Sequence, residues 1–359
     1  MTQLKTFLLG ATCAAAFIAG NALFTPAPAQ AEPTLNLFNW SDYIPESMIT
    51  EFELQCGCAV NETNYDSNSE MEAKLKAGGD SQYDVIVPSS YYVARLAAEG
   101  LIQPLDQTKI PNFKNLYAKF QNPSYDPGDK YSIPYQWGTT GIGYVKANIK
   151  DPAHSWGLIF DPTVNTTYPF SMMSGSGQDT IGAACAYLGY GFDCDTQTEW
   201  VAAAKLIKQT MARKNFSGFV DGTPERDQLK AGLNSVGMVF NGDIATSYAD
   251  GSGKGIGFFL PKEGTEIWVD TMAIPAHAPN PQLALEFINF VLNAYQGAEL
   301  SNFNDYASPN EAAQSQLASN LQAELISPTP DDYKLLHFLP PLSGHQLQVF
   351  NAVWAAVKQ

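Results

Sequence analysis

Apolar and polar positions along the first part of the chain follow two patterns that alternate. A period of two residues predicts β-strands, and apolar residues three and four positions apart predict helices. Six elements result: strands over 34–39, 59–64 and 83–87, and helices over 45–54, 69–77 and 91–99. Short strands that alternate with helices of about ten residues indicate βαβ units around a parallel sheet, which is an α/β fold.

After Pro134 the pattern changes to strand-like stretches placed between further helices. The stretch 135–144 is rich in Gly and Thr and predicts a strand that crosses between two lobes, and 268–274 predicts a second crossing. The remaining predicted elements are helices over 180–188, 198–213 and 281–292 and a strand over 237–240. Two crossings between two α/β lobes form a hinge, and ligands then bind in the cleft between the lobes.

The first 31 residues have the pattern of a cleaved secretory signal. Lys5 precedes an apolar run over 7–19, and 29–31 has the small-x-small spacing that a signal peptidase requires. The run is too short to span about 30 Å of hydrocarbon, so we expect a secreted, periplasmic chain. The chain that remains after cleavage of residues 1–31 is long for a single hydrophobic core, and chains of such length usually divide into two. The predicted organisation is a signal peptide over 1–31, lobe one over 32–139 plus 269–314, and lobe two over 140–268 plus 315–359.

The charge balance restricts the possible partners. The chain has 36 acidic and 20 basic residues and a formal net charge of −16. This balance argues against nucleic acid and anionic membrane surfaces as partners and suits a protein that attracts cations.

Motifs of catalysis and of metal binding are missing from the sequence. The glycine cluster over 251–257 has the spacing of neither a phosphate loop nor a dinucleotide fingerprint, and no Gly-x-Ser-x-Gly elbow is present. The four histidines are too scattered to form a metal pair, and Asp193 and Asp195 do not continue as a calcium loop. We therefore expect a binding protein without catalytic residues, cofactor or metal.

Four cysteines follow the predicted signal. In an oxidising compartment Cys185 and Cys194 could close a loop at the end of a helix, and the sequence leaves this pairing open. Cys56 and Cys58 flank a glycine and are expected to be too close to bridge each other, which predicts free, partly buried thiols. Their spacing matches no zinc pattern.

Aromatic side chains stand beside short polar ones at the ends of the predicted strands. Because the carboxyl ends of the strands face the crevice where ligands bind in open α/β sheets, these residues are candidates for a binding site. Aromatic faces attract an ammonium by roughly 0.5–2 kcal/mol each and also cover a methylene chain, and a desolvated ammonium requires a carboxylate partner. The candidates from this rule are Trp40, Ser41, Asp42, Tyr43, Ser89, Tyr91, Trp268, Asp270 and Tyr306.

The sequence resembles the periplasmic spermidine/putrescine-binding proteins of bacterial ABC importers over essentially the whole mature chain. The resemblance is carried by the order and spacing of six blocks, at 38–45, 83–93, 132–138, 237–242, 261–264 and 268–275. It implies a two-lobed, type II binding fold that closes around its ligand, a membrane permease as partner, and a monomer.

The resemblance also implies roles for the candidate residues. Trp40 and Tyr43 would flank the carbon chain of the amine, with Ser41 adding a polar contact, and Trp268 would stack on the chain. Asp270 would pair with an ammonium. The other residues implied to line the pocket are Ser89 and Tyr91 on lobe one and Tyr306 at the side.

Three positions depart from the pattern of the family. The acids that hold the second amine fall on Ser176 and Asp179, so one carboxylate is missing and the other is shortened. Phe240 stands where a tryptophan is usual. A neutral Ser176 would weaken the binding of a dication relative to a monocation, and either Asp179 or a water bridge through Asp42 could compensate.

Three hypotheses for function follow from these observations. The first is an importer subunit that binds putrescine or spermidine. The second keeps the fold and replaces the ligand by a molecule with a single amine, such as a monoamine or an amino acid. The third is a ligand sensor that signals to a membrane receptor.

Overall fold

The computed structural model describes residues 32–175, 177–249, 251–322, 328–329 and 331–359. The predicted signal peptide over 1–31 and the candidate Ser176 lie outside the described residues. The strands are β1 Thr34–Trp40, β2 Ala59–Tyr65, β3 Val85–Ile86, β4 Ser132–Val145, β5 Phe170–Met172, β6 Phe216–Phe219, β7 Val236–Phe240, β8 Ile256–Phe259, β9 Thr265–Ala273 and β10 Leu336–His337. The α-helices are α1 Glu46–Cys56, α2 Asn68–Lys76, α3 Ser90–Ala98, α4 Gly157–Phe160, α5 Gln178–Leu188, α6 Gln197–Met211, α7 Thr223–Ala231, α8 Asn241–Ala249, α9 Pro281–Val291, α10 Ala294–Asn304 and α11 Gly344–Val357.

The strands form one mixed sheet in the order β2-β1-β3-β9-β4-β7-β5-β6. The pairs β1–β2 and β1–β3 are parallel, as the alternation of strands and helices predicted, and the pairs β5–β6 and β5–β7, whose strands β5 and β6 were not predicted, are parallel as well. Parallel strands connected through helices place their carboxyl ends at one edge of the sheet. The long strands β4 and β9 run antiparallel to each other through the middle.

Strand β4 changes its main partner halfway along its length. Its first part pairs with β9 as far as Thr139, and from Thr140 onward it pairs with β7 on one side and, from Ile142, with β8 on the other. The change of partner lies within 135–144, the first predicted crossing between lobes. The boundaries of the two lobes stay a prediction.

The core divides into groups of buried side chains on the two parts of the sheet. In one group, Phe52 of α1 packs edge-on against Phe287 and beside Phe290 of α9, with centroids 5.1 and 5.3 Å apart. In another, Trp200 of α6 meets Phe350 of α11 at 5.2 Å and a right angle. Burial of each such side chain contributes about 1.5–3 kcal/mol, so these helices are held by packing rather than by propensity.

Both cysteine pairs form disulfides. Cys185 and Cys194 are bridged, with Cα atoms 6.3 Å apart, which settles the open pairing at the end of α5. The interpretation of Cys56 and Cys58 as free thiols was wrong, because these residues are also bridged, with Cα atoms 5.2 Å apart. Gly57 between them has φ +62°, a left-handed conformation that ends α1 and turns the two side chains toward each other.

Within the described residues, the helices are all too short or too polar to cross a membrane.

Candidate functional site

A cavity of about 340 Å³ is lined by the ends of several strands and the helices that follow them. The ends of β1 and β2, the start of α3, the middle of β9 and the loop before α5 all contribute side chains. The structure brings eleven of the twelve predicted site residues to its wall, namely Trp40, Ser41, Asp42, Tyr43, Ser89, Tyr91, Asp179, Phe240, Trp268, Asp270 and Tyr306.

Asp270 is the carboxylate around which the first part of the wall is built. Its Oδ1 accepts a hydrogen bond from Ser89 Oγ at 2.6 Å and its Oδ2 accepts one from Tyr43 Oη at 2.8 Å. The residue is 5% exposed, and burial raises the pKa of the carboxyl to about 7, with the two hydrogen bonds acting in the opposite direction. Because burial also raises the pKa of Tyr43 well above its usual range, that phenol remains a donor at neutral pH.

Aromatic rings form a continuous wall beside Asp270. Tyr306 lies edge-on to Tyr43 at 5.6 Å and to Trp268 at 5.1 Å, and Trp268 lies edge-on to Phe240 at 5.6 Å. The rings are fitted closely, since an added Cβ at Gly242 would lie 2.3 Å from the Tyr306 ring. The indole N–H of Trp268 is buried and has no acceptor among the residues that the structure describes.

Trp40 and its neighbours form another part of the wall. The Trp40 indole donates a hydrogen bond to the Val87 carbonyl at 2.8 Å, and its ring lies 4.7 Å from that of Tyr65. Since the N–H is used within the protein, Trp40 presents its ring rather than a donor to the cavity. Ser41 donates to Asp66 at 3.2 Å at the exposed edge of the site.

A pair of carboxyls is formed by Glu266 of β9 and Asp179 of α5. Glu266 and Asp179 are buried, hydrogen-bonded to each other, and both line the cavity. Burial raises the pKa of both groups, and for Glu266 the charge of Asp179 adds to the effect. Because two ionised carboxylates have no donor between them, the pair shares a proton. Thr140 Oγ1 donates to Glu266 Oε2 at 2.8 Å and fixes its position.

Two further charged groups come from helices that follow β6 and β7. Asp243 in the first turn of α8 is 9% exposed, and burial raises the pKa of its carboxyl to about 7, while the charge of Arg226 lowers it. Arg226 of α7 also lines the cavity, and its Nε lies 3.0 Å from Asp227. The loop over 174–175 is held by Asp221, which accepts hydrogen bonds from the backbone nitrogens of Ser174 and Gly175 at 2.7 and 2.9 Å.

Several cavity residues were missed by the sequence analysis. Asp66, Ser67 and Asn68 follow the end of β2, so the strand-end rule that selected Trp40 would also have selected them. Glu266 lies two residues before Trp268, on the same face of β9, and was missed because the predicted strand began at Trp268. Other residues missed come from segments where no element was predicted: Asp221, Arg226, Asp243, Thr246 and Asn304.

The cavity therefore combines a ring wall with buried acids in a mixed α/β sheet, and its lining favours cations. Of the lining residues that the structure describes, seven are acidic and one is basic: Asp42, Asp66, Asp179, Asp221, Asp243, Glu266 and Asp270 against Arg226. A two-lobed α/β fold with such a cavity at the carboxyl ends of its strands defines the class of type II solute-binding proteins.

Comparison with known proteins identifies the family. The family described as bacterial extracellular solute-binding protein matches residues 47–325, and the chain belongs to this family. It is a periplasmic or secreted solute-binding protein.

The relatives cover most of their own length and of this chain. The spermidine/putrescine-binding periplasmic protein of Salmonella typhimurium is 34% identical over 81% of this chain and 82% of its own length. The putrescine/cadaverine-binding protein of Pseudomonas aeruginosa is 32% identical over 92% of this chain and 95% of its own. A structure from Listeria monocytogenes, provisionally named a spermidine/putrescine ABC transporter, superposes with a TM-score of 0.83, at 31% identity over 91% of this chain and 99% of that one.

Proposed function

We propose that this protein binds a polyamine, putrescine or spermidine, in the cavity and delivers it to the permease of an ABC importer. The observation that carries the proposal is the position of Asp270, a buried carboxylate at the wall formed by Tyr43, Trp268 and Tyr306. A desolvated ammonium is stabilised there by the carboxylate charge and by the faces of the rings. The names of the relatives from Salmonella typhimurium and Pseudomonas aeruginosa support the same class of ligand.

The proposed role of Asp270 requires it to be ionised when the ligand is bound. Its pKa of about 7 in the empty cavity means that a nearby ammonium, by favouring the charged form, draws the carboxyl toward ionisation at neutral pH. Tyr43 and Ser89 hold both oxygens in place, and each oxygen keeps a free lone pair for the ligand. The carboxylate is thus oriented before the ligand arrives, which reduces the cost of ordering it on binding.

The work of the protein in this proposal is binding and release rather than catalysis. Contacts between the segments that surround the cavity, such as that of Ser69 Oγ with the Gly175 carbonyl at 3.4 Å, would form as the two lobes close. The ligand stabilises the closed form because it contacts both sides of the cavity there and only one side in an open form. The closed form would then be the one that the permease recognises.

A second candidate function has one observation in its favour. Arg226 is a cation at the wall, and a guanidinium is suited to a ligand carboxylate. An amino acid with a terminal amine, held by Asp270 at one end and Arg226 at the other, would use it. The acids around Arg226 argue against this function, since the charges of Asp243, Asp227 and Asp42 all act on its guanidinium.

Calorimetry at physiological salt separates the two functions. Putrescine, spermidine and 4-aminobutyrate would be titrated into the purified mature protein, with the melting temperature measured in parallel. We expect heat and an increase in melting temperature with the amines and neither with 4-aminobutyrate. Binding of 4-aminobutyrate alone would favour the second function, and no response to either amine would refute the proposal.

A further inference from the structure

Glu266 has a position on β9 that relates it directly to Asp270. Residues 266, 268 and 270 alternate on one face of the strand, and all three line the cavity. Trp268 therefore lies between two carboxyls. A rise of about 3.3 Å per residue over four residues places the Cα atoms of Glu266 and Asp270 about 13 Å apart. If each ammonium lies between the two carboxylates and about 3 Å from its own, the two nitrogens are about 7 Å apart. This spacing suits the two ends of a short linear diamine.

We propose that Glu266, together with Asp179, holds the second ammonium of a linear diamine, so that Glu266 supplies the second carboxylate that position 176 lacks. This inference rests on the proposed function, because it takes the first ammonium to be at Asp270. It narrows the ligand to molecules with two amines and makes Glu266 a residue that determines specificity.

The surroundings of Glu266 support a role in binding a cation. The residue is 1% exposed, and its described neighbours offer a neutral hydroxyl at Thr140 and another acid at Asp179. A buried pair of acids that shares one proton keeps a negative charge without a cation. The buried indole N–H of Trp268, which has no acceptor within the described residues, is a second sign that the wall between the two carboxyls is completed by a ligand.

Other titratable groups surround the pair formed by Glu266 and Asp179. The charge of Asp270, on the same strand, raises the pKa of Glu266, and the charge of Asp221, in the segment before α7, raises the pKa of Asp179. His337 of β10 is the register partner of Glu266 in the parallel pairing of β10 with β9. Its Nδ1 lies 3.6 Å from Oδ1 of Asp193. The acids outnumber the imidazole here, so an incoming ammonium is attracted and competes with the shared proton for the same oxygens.

The substitution Glu266→Gln tests the proposal with little change in shape. A glutamine amide can replace the shared proton by donating to Asp179 and can still accept from Thr140, so the empty protein should fold as before. Calorimetry would compare putrescine with butylamine, which has the same carbon chain and one amine. We expect the wild type to prefer putrescine, and Glu266→Gln to lower affinity for putrescine by at least about 30-fold while changing that for butylamine little.

A matched control uses another buried glutamate. Glu225 is 0% exposed, burial raises the pKa of its carboxyl to about 8, and it lies outside the cavity wall. Glu225→Gln should leave the preference for putrescine unchanged. The pH profile gives a readout that a purely structural role would not move. In the wild type, affinity for putrescine should rise more steeply with pH than affinity for butylamine, because the pair must lose its shared proton, and this difference should disappear in Glu266→Gln.

The outcomes distinguish this inference from the proposed function. If the wild type and Glu266→Gln bind putrescine equally well, the role of Glu266 is overturned and the proposed function stands. Wild type that binds butylamine as tightly as putrescine would overturn the second ammonium site without any variant. Wild type that binds no amine would overturn both.

Discussion

The hydroxyl of Tyr43 donates a 2.8 Å hydrogen bond to Oδ2 of Asp270, which joins residues 227 positions apart in the chain. Tyr43 comes after the first strand of the fold and Asp270 comes from the ninth. Their contact therefore depends on the whole sheet being assembled, including the pairing of β9 with β3 and β4. The proposed amine site is a product of the tertiary fold and not of either local segment.

Asp270→Asn is expected to abolish most of the binding of either polyamine. The amide keeps the size of the side chain and removes the charge that neutralises a desolvated ammonium. The loss should be about 2–5 kcal/mol, or roughly 30-fold to several thousand-fold in Kd, measured by calorimetry. Asp331→Asn is the control, because Asp331 is exposed and lies outside the cavity wall, so its change should leave Kd unaltered. Equal effects of the two variants would contradict the special role of Asp270.

Gly138→Ala should disturb the aromatic wall from the adjacent strand. A Cβ at Gly138 would lie 2.5 Å from Cζ2 of Trp268 and 2.6 Å from Oδ1 of Asn241, so the indole must move. We expect a loss of about 1–3 kcal/mol in the free energy of unfolding together with weaker amine binding, measured by urea denaturation and calorimetry. Gly255→Ala has open space around the added methyl and should change neither quantity. A Gly138→Ala protein with normal affinity would show that the position of Trp268 does not matter.

The stability of the ligand-free protein should fall as the pH rises from about 4 to about 7. Burial raises the pKa of Asp270 and of Asp243 to about 7, whereas an unfolded aspartate has a pKa of about 3.9. In this range the folded state keeps protons that the unfolded state has lost, so stability decreases with pH, and the part of the decrease that comes from these two carboxyls ends above about 7. Melting temperatures across the range would measure the slope.

Protonation of Asp270 should also make the affinity for amines depend on pH. The affinity should increase with pH, whereas the stability decreases. Since an ammonium pairs with the ionised carboxylate, the affinity for putrescine should increase as the pH rises through about 7. Asp270→Asn should reduce the slope of stability with pH as well as the affinity. A melting temperature independent of pH between 4 and 7 would mean that these carboxyls ionise freely in the empty protein.

The two disulfides should differ in their contribution to stability. The bridge between Cys185 and Cys194 spans nine positions, and the bridge between Cys56 and Cys58 spans two. The loop-closure argument gives about 3 kcal/mol for the larger loop and about 1.5 kcal/mol for the smaller one. Double Cys→Ser variants, compared by thermal and urea unfolding, should follow this order. A larger loss of stability on removal of the Cys56–Cys58 bridge would show that contacts in the folded state contribute more than the lost entropy of the unfolded chain.

The fold could be predicted from the sequence where burial follows one period. Helix 281–292, with apolar residues on one face, is observed as Pro281–Val291, and helix 180–188 as Gln178–Leu188. Helix α7 was missed because its sequence is polar and it buries only Glu225 and Leu229. Helix α10 was missed because it buries small and polar residues such as Gly297 and Ser301, which give no apolar stripe.

The site could be predicted where it follows a strand and not where it comes from a missed helix. Trp40 and Tyr43 were found at the end of β1, and the structure places both at the cavity. Arg226 and Asp243 lie on α7 and α8, which no pattern predicted. Their proximity to the aromatic wall depends on how these helices pack, and a single sequence contains no local signal of that packing.

Alternate residues of β9 serve two different purposes, contact with the cavity and packing of the strand. Positions 266, 268 and 270 contact the cavity, while Ile267, Val269 and Thr271 are buried on the other face. A change of ligand can therefore be made at alternate positions without altering the packing that keeps the strand in place. This property makes β9 a natural place to redesign the protein as a receptor for other organic cations.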